Sequence, residues 1–138
     1  MNRIKFDSEL MKIIALFESL TGARAKDCIS SNDKLLFIVE QNDMGKAIGK
    51  NGSHIHNLEF KLKKKIKVAE FNEDVVGFVK NLLFPAQVEN IENNDGIITI
   101  HGKDTSTKAM IIGREHHNLK QLIETVKRYF DIKDIRVV

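Results

Sequence analysis

Apolar residues recur along this chain in two rhythms, every third or fourth position and every second one. The alternation between those rhythms predicts the elements. Leu10, Ile13, Ile14, Phe17 and Leu20 share one face of a helix that Asp7 or Ser8 can cap and Gly22 should end. Two short β-like runs follow, "RAKDCIS" and "KLLFIVE", joined at a turn-forming "SND". A short helix around 43–48, a glycine turn, a helix over about 53–64 and a strand "IKVAEF" complete the first half. The second half opens with "NEDVVGFVKNLL", a helix with Asn72 as its expected cap. The strands "PAQVENI" and "GIITIHG" flank an Asn-Asp-Gly turn, helices near 105–112 and 117–129 follow, and "DIRVV" is a last strand.

Both halves therefore run α-β-β-α-α-β in about 70 residues each. An ungapped repeat underlies the shared order: "IGKNGSHIHNLEFKL" from Ile48 aligns with "IGREHHNLKQLIETV" from Ile112, 64 positions on. Gly49 pairs with Gly113, Lys50 with Arg114, Ile55 with Leu119, Leu58 with Leu122 and Leu62 with Val126. No Gly/Ser/Pro-rich linker parts the halves. Two small, closely coupled α+β domains are expected, residues 1–71 and 72–138, each a three-stranded sheet carrying its helices on one face.

The turn "GKNG" places its two glycines against the start of a helix. Glycine costs backbone entropy, so such a turn serves shape or the close approach of a ligand. Ser53 is a good N-cap residue, which would put the turn at a helix N-terminus, where amide N–H groups and the helix dipole favour an anion. Without Cβ atoms at Gly49 and Gly52 a sugar–phosphate backbone can come close to the main chain. Lys50 adds a charge beside that path, and Lys46 lies about one turn earlier. Phosphate contact is the chemistry that follows.

Nucleotide-enzyme motifs are missing: there is no Gly-x-x-x-x-Gly-Lys-Ser/Thr loop and no strand–Gly-x-Gly-x-x-Gly–helix unit. No nucleophile, base and orienting residue occur at a recognisable spacing. Charge points the same way. The chain of 138 residues has a net charge of +3, but residues 1–71 hold 13 Lys/Arg against 9 Asp/Glu, and residues 72–138 hold 9 against 10. The basic character thus sits in the half with the intact glycine pair. One cysteine, Cys28, excludes an internal disulfide and fits a reducing, cytoplasmic setting. No apolar run approaches the length of a membrane span, and "MNRIKFDSEL" becomes charged too early for a signal peptide.

A helix–Gly-x-x-Gly–helix inside α-β-β-α-α-β resembles the KH domain in its N-terminally extended, type II form. Two such units without a linker resemble the tandem KH unit of NusA-type transcription factors. The specific part of the likeness is "MGKAIGKNGSHIHNLE", and the repeat carries it across the whole chain. The resemblance implies two tandem type II KH domains that bind single-stranded RNA, a non-enzymatic role in transcription termination or antitermination, and RNA polymerase as a further partner. It implies neither cofactor nor metal. In the first half it implies RNA contacts at Lys46, Ile48, Gly49, Lys50, Asn51, Gly52 and Ser53, with Ile48 closing the floor of a base-binding groove. The second loop departs from the pattern, reading Gly113, Arg114, Glu115, His116. Glu115 puts negative charge where phosphate would come, so Ile112, Gly113 and Arg114 are expected to form a weaker secondary site.

Other features have plainer readings. "KLKKKIK" (Lys61, Lys63, Lys64, Lys65 and Lys67) reads first as a solvated helix end and second as a phosphate-attracting patch. His54 and His56 are two apart, not an i, i+4 metal pair, and with His116 and His117 read as exposed or RNA-contacting. With one tyrosine and no tryptophan, a stacking platform is poorly supplied and the groove would be aliphatic. A monomer is expected. The competing reading is a protein-interaction adaptor of the transcription machinery with weak RNA affinity. An RNA-processing enzyme subunit is the third.

Overall fold

A computed structural model describes residues 8–31 and 34–138. Asp7 and the Asn32-Asp33 turn lie outside the described residues. The chain forms two compact units, Met1–Phe71 and Asn72–Val138.

In the first unit, α1 (Ser8–Thr21) ends at Gly22, which takes the left-handed conformation (φ 77°) and donates its N–H to the Glu18 carbonyl at 2.9 Å. The Thr21 hydroxyl donates back to the Phe17 carbonyl at 2.7 Å and accepts the N–H of Ala23 at 3.0 Å. Three polar groups at the helix end are thereby paired. Strands β1 (Ala25–Ser31) and β2 (Lys34–Val39) pair antiparallel, and β2 pairs parallel with β3 (Lys65–Glu70). Alternate residues Leu35, Phe37 and Val39 of β2 and Ile66 and Val68 of β3 are buried in one cluster with Phe17 and Cys28. Phe17 stacks on Phe37 with centroids 4.1 Å apart and planes 9° off parallel.

A parallel pair cannot be closed by a tight hairpin and needs a crossover. Here the crossover is α2 (Met44–Ile48), a single 3₁₀ turn (Lys50–Gly52) and α3 (Ser53–Leu62). Ala47 of α2 and Leu58 of α3 are fully buried in the same cluster, so each helix flanking the turn is anchored by one residue. The turn itself is left outside the core. Helix α3 is two residues shorter than its expected span. Lys63 turns left-handed (φ 56°) and donates its N–H to Glu59, freeing Lys65 to start β3 opposite Lys34. Sheet pairing overrides helix propensity there.

The second unit repeats the order: α4 (Val75–Leu83), β4 (Val88–Asn94), β5 (Ile97–Gly102), α5 (Thr105–Ile112), a 3₁₀ turn (Arg114–His116), α6 (His117–Lys127) and β6 (Asp134–Val137). Its sheet is again β4 antiparallel to β5 and β5 parallel to β6. The hairpin turns at Asp95 (φ 52°) and Gly96 (φ 85°), the double positive φ that suits the twist of paired strands. Phe78 is fully buried and meets Tyr129 edge-on at 5.8 Å and Phe130 at 5.7 Å. Asp74, not Asn72, caps α4: its carboxylate accepts the N–H of Gly77 at 3.1 Å. Asn72 instead accepts the N–H of Asp74 at 2.8 Å, an Asx turn that leads the chain into the cap. Asp104 caps α5, accepting the N–H of Thr107 at 2.8 Å.

Candidate nucleic-acid interface

The crossover turn of the first unit is set by three left-handed residues: Gly49 (φ 75°, ψ 174°), Asn51 (φ 56°, ψ 30°) and Gly52 (φ 74°, ψ 16°). Hydrogen bonds close it from within. Gly49 donates to Gly45 at 3.0 Å, Gly52 donates to Gly49 at 3.2 Å, and Ser53 donates to Lys50. The N–H groups of Lys50 and Asn51 donate to no atom of the described residues. Both side chains are exposed. Two outward amides under a lysine ammonium form the anion-seeking part of the turn. Ser53 is not a cap. It is the first residue of α3, the preceding Gly52 is the boundary residue, and no side chain caps this N-terminus.

The two glycines do different work. A Cβ on Gly49 would lie 2.7 Å from Cγ and 2.8 Å from Nδ1 of His54, and 2.9 Å from Oγ of Ser53. The bare side of Gly49 is therefore filled by protein. His54 occupies it because its Nδ1–H donates to the Lys46 carbonyl at 2.7 Å, tying the start of α3 to the end of α2. A Cβ on Gly52 would meet nothing closer than His56 Cε1, at 3.7 Å. Only Gly52 leaves open room.

The second unit copies this construction 64 positions on. Gly113 (φ 75°, ψ 172°), Glu115 (φ 55°, ψ 30°) and His116 (φ 63°, ψ 20°) reproduce the torsions of Gly49, Asn51 and Gly52. The Asn118 amide nitrogen donates to the Met110 carbonyl at 2.9 Å, and a Cβ on Gly113 would lie 2.6 Å from Asn118 Cγ. His54 and Asn118 are repeat partners, as are Lys46 and Met110. Each first glycine thus makes way for a side-chain tie across the turn. The loss of the second glycine has not changed the backbone. His116 and Glu115 adopt the left-handed region at a steric cost that glycine would avoid.

With the helix–turn–helix geometry defined, likeness to known proteins can be stated. The family described as "KH domain" matches residues 12–95. The chain belongs to the KH-domain family. It is 34% identical over 140 residues to "Probable transcription termination protein NusA" of Methanococcus vannielii, covering 99% of this chain and 80% of that protein. It is 34% identical over 136 residues to the like-named protein of Halobacterium salinarum, covering 97% and 98%. The like-named protein of Thermoplasma acidophilum is 33% identical over 140 residues, covering 99% and 97%. A solved neighbour, the crystal structure of APE1850, superposes with a TM-score of 0.73 at 29% identity, covering 96% of this chain and all 100% of that one.

In this KH protein, Gly49, Lys50, Asn51 and Gly52 lie together in one turn. Ile48 is half-buried at the end of α2, and the exposed Lys46 sits 3.9 Å from Asp43. Asp43 also accepts the Arg24 N–H at 2.8 Å, so the carboxylate near Lys46 is itself engaged. In the second turn Ile112 is half-buried and Arg114 exposed. Sequence reasoning missed the structural part of His54, which it read as exposed or RNA-contacting. The repeat alignment carried the signal: positions 54 and 118 both hold a side-chain N–H donor five residues after the first glycine. Among the described residues no helix is long and apolar enough to cross a membrane. No group of three or more His, Cys, Asp or Glu is placed to hold a metal ion among them.

Proposed function

We propose that this chain is a non-enzymatic, single-stranded RNA-binding transcription factor of the NusA kind, built as two tandem type II KH domains over residues 1–71 and 72–138. One observation carries the reading. The N–H groups of Lys50 and Asn51 are undonated and lie under exposed side chains beside Gly52, whose missing Cβ leaves the outer side of the turn open. An RNA phosphate fits there, drawn by two amide dipoles and the Lys50 charge. Lys46, Ile48, Gly49 and Ser53 belong to the same site as its rim and frame. The resemblance of the whole chain to archaeal proteins named for transcription termination supports placing that RNA in transcription, with the nascent transcript as ligand and RNA polymerase as a further partner.

The test is Lys50→Asp with Asn51→Asp. Neither residue is buried, and aspartate tolerates the left-handed conformation of position 51, so circular dichroism should be unchanged. Two carboxylates over the amides should lower affinity for single-stranded RNA at least tenfold at moderate salt. Unchanged affinity would remove the clamp. The second turn, with Gly113 and Arg114 but Glu115 over its undonated amides, is a weaker site on the same argument. An adaptor role is the alternative that this carboxylate motivates. Partners that stay bound after RNase treatment would favour it.

A further inference from the structure

One exposed feature is used by none of the above. Helix α3 shows the core Leu58, which is fully buried, while His56 and Phe60 lie about 200° around the helix on either side of it and face outward. Phe60 is 76% exposed, the most exposed of the large apolar side chains described. The two rings are four residues apart and so are neighbours on one helix face. His56 also reaches back to the turn, its Cε1 being 3.7 Å from the bare side of Gly52. At the other end the Lys63 ammonium stands 5.2 Å from the centroid of the Phe60 ring.

Cations gather beyond that point. Lys61, Lys63, Lys64 and Lys65 form no ion pair among the described residues. Lys65 lies directly across the sheet from Lys34. Lys67 is held below the ordinary lysine value, first by desolvation and then by repulsion from Lys34. Like charges placed opposite each other in a sheet destabilise it, so the fold bears a cost for this arrangement. An exposed ring that leads to crowded lysines suits an anionic polymer with flat bases. The second unit lacks the feature: Lys120 and Glu124 occupy the places of His56 and Phe60.

We propose that the outer face of α3 is a second RNA track, on which a strand leaving the turn at Gly52 stacks bases on His56 and Phe60 and sets its phosphates against Lys61, Lys63 and Lys64. This rests on the reading of the turn as a phosphate clamp. It differs from it in place, because the groove beside the turn lies on the side of α3 nearer the sheet and this face looks away from it. The ten residues of α3 span about 15 Å, so the track engages only RNA longer than the roughly four nucleotides held at the turn.

The full-length chain is titrated by fluorescence anisotropy with mixed-sequence single-stranded RNAs of about four and about ten nucleotides. Phe60→Ala should weaken the longer RNA on the order of tenfold, one stacked base, and leave the shorter unchanged; Phe60→Tyr should restore it. Lys61→Gln with Lys63→Gln should lower the salt slope of the longer RNA by about one. The track is overturned if Phe60→Ala leaves the longer RNA unaffected, or weakens both lengths alike. Should the unaltered chain bind neither RNA, the clamp reading fails first and the track with it.

Discussion

Replacing each loop glycine by alanine separates the two demands made on them. At Gly49 the torsions (φ 75°, ψ 174°) fall in a region that is essentially glycine's alone, at a cost of about 1–3 kcal/mol for any other residue. The added methyl would also stand 2.7 Å from the His54 ring and 2.9 Å from Ser53 Oγ. The ring must swing away, and its 2.7 Å hydrogen bond to Lys46 is lost, adding about 1 kcal/mol. Gly49→Ala should therefore cost about 2–4 kcal/mol. At Gly52 (φ 74°, ψ 16°) the left-handed conformation costs alanine about 1 kcal/mol, and with the nearest atom 3.7 Å away nothing need move. His116 already occupies the matching position at φ 63°. For a unit of this size about 4–8 °C of melting temperature follows each kcal/mol. Thermal unfolding by circular dichroism should show Gly49→Ala shifted by about 10 °C or more and Gly52→Ala by about 5 °C. His54→Asn, the second unit's own solution, should stay near the parent value. If Gly52→Ala costs as much as Gly49→Ala, the tie between His54 and Lys46 does not shape this turn.

Two groups away from the turn give independent checks. Cys28 is 2% exposed, and burial foremost, then the charge of Asp27, against the opposing pull of Lys64, push its thiol up to about 12. Iodoacetamide at a pH near 8.5 should label it only in denaturant; labelling of the native chain at the rate of a free thiol would contradict that burial. Because the folded state holds this proton more tightly, stability should fall as pH rises above 9.0 toward 12. The Asp104 carboxyl sits below the ordinary aspartate value, held there chiefly by the backbone N–H of Thr107 and next by its hydroxyl. Its contribution is fully present above about 3.8 and is lost as pH falls through the lowered folded value. Urea midpoints of Asp104→Ala should lie below those of the parent at neutral pH and converge with them in acid. A constant gap down to the acid limit would show that the cap does not act through its charge.

The order of elements was legible because periodicity, turn residues and the repeat all agree. What escaped was decided by partners distant in sequence or by one local hydrogen bond. The end of α3 moved because Lys65 pairs with Lys34, a strand 31 positions earlier in the same register. The α4 cap moved from Asn72 to Asp74 because Asn72 spends its oxygen on the Asp74 N–H. Ser53 has cap chemistry, yet Gly52 turns left-handed and delivers Ser53 already helical, with its N–H given to Lys50. The four residues of the turn could be found from the glycines alone, but not which amides face outward. That depends on torsions at Asn51 and on the internal bonds of Gly49 and Gly52.

The two turns of this chain act as an internal control on what a Gly-x-x-Gly pair means. Their torsions match to within a few degrees at the first two positions and about 11° at the third, although only the first glycine is shared. A first glycine is therefore a folding requirement, imposed by the side chain at position 54 or 118 that crosses over it. The second is not needed to make the turn, since His116 makes it. A residue that the backbone does not require, kept bare beside two undonated amides and a lysine, is what remains to be explained by something outside the protein. Where Glu115 and His116 stand instead, the same amides are screened by a carboxylate and crowded by a ring. The difference between the turns is then one of presented chemistry on a common frame, and Gly52, not Gly49, is the glycine that a ligand would feel.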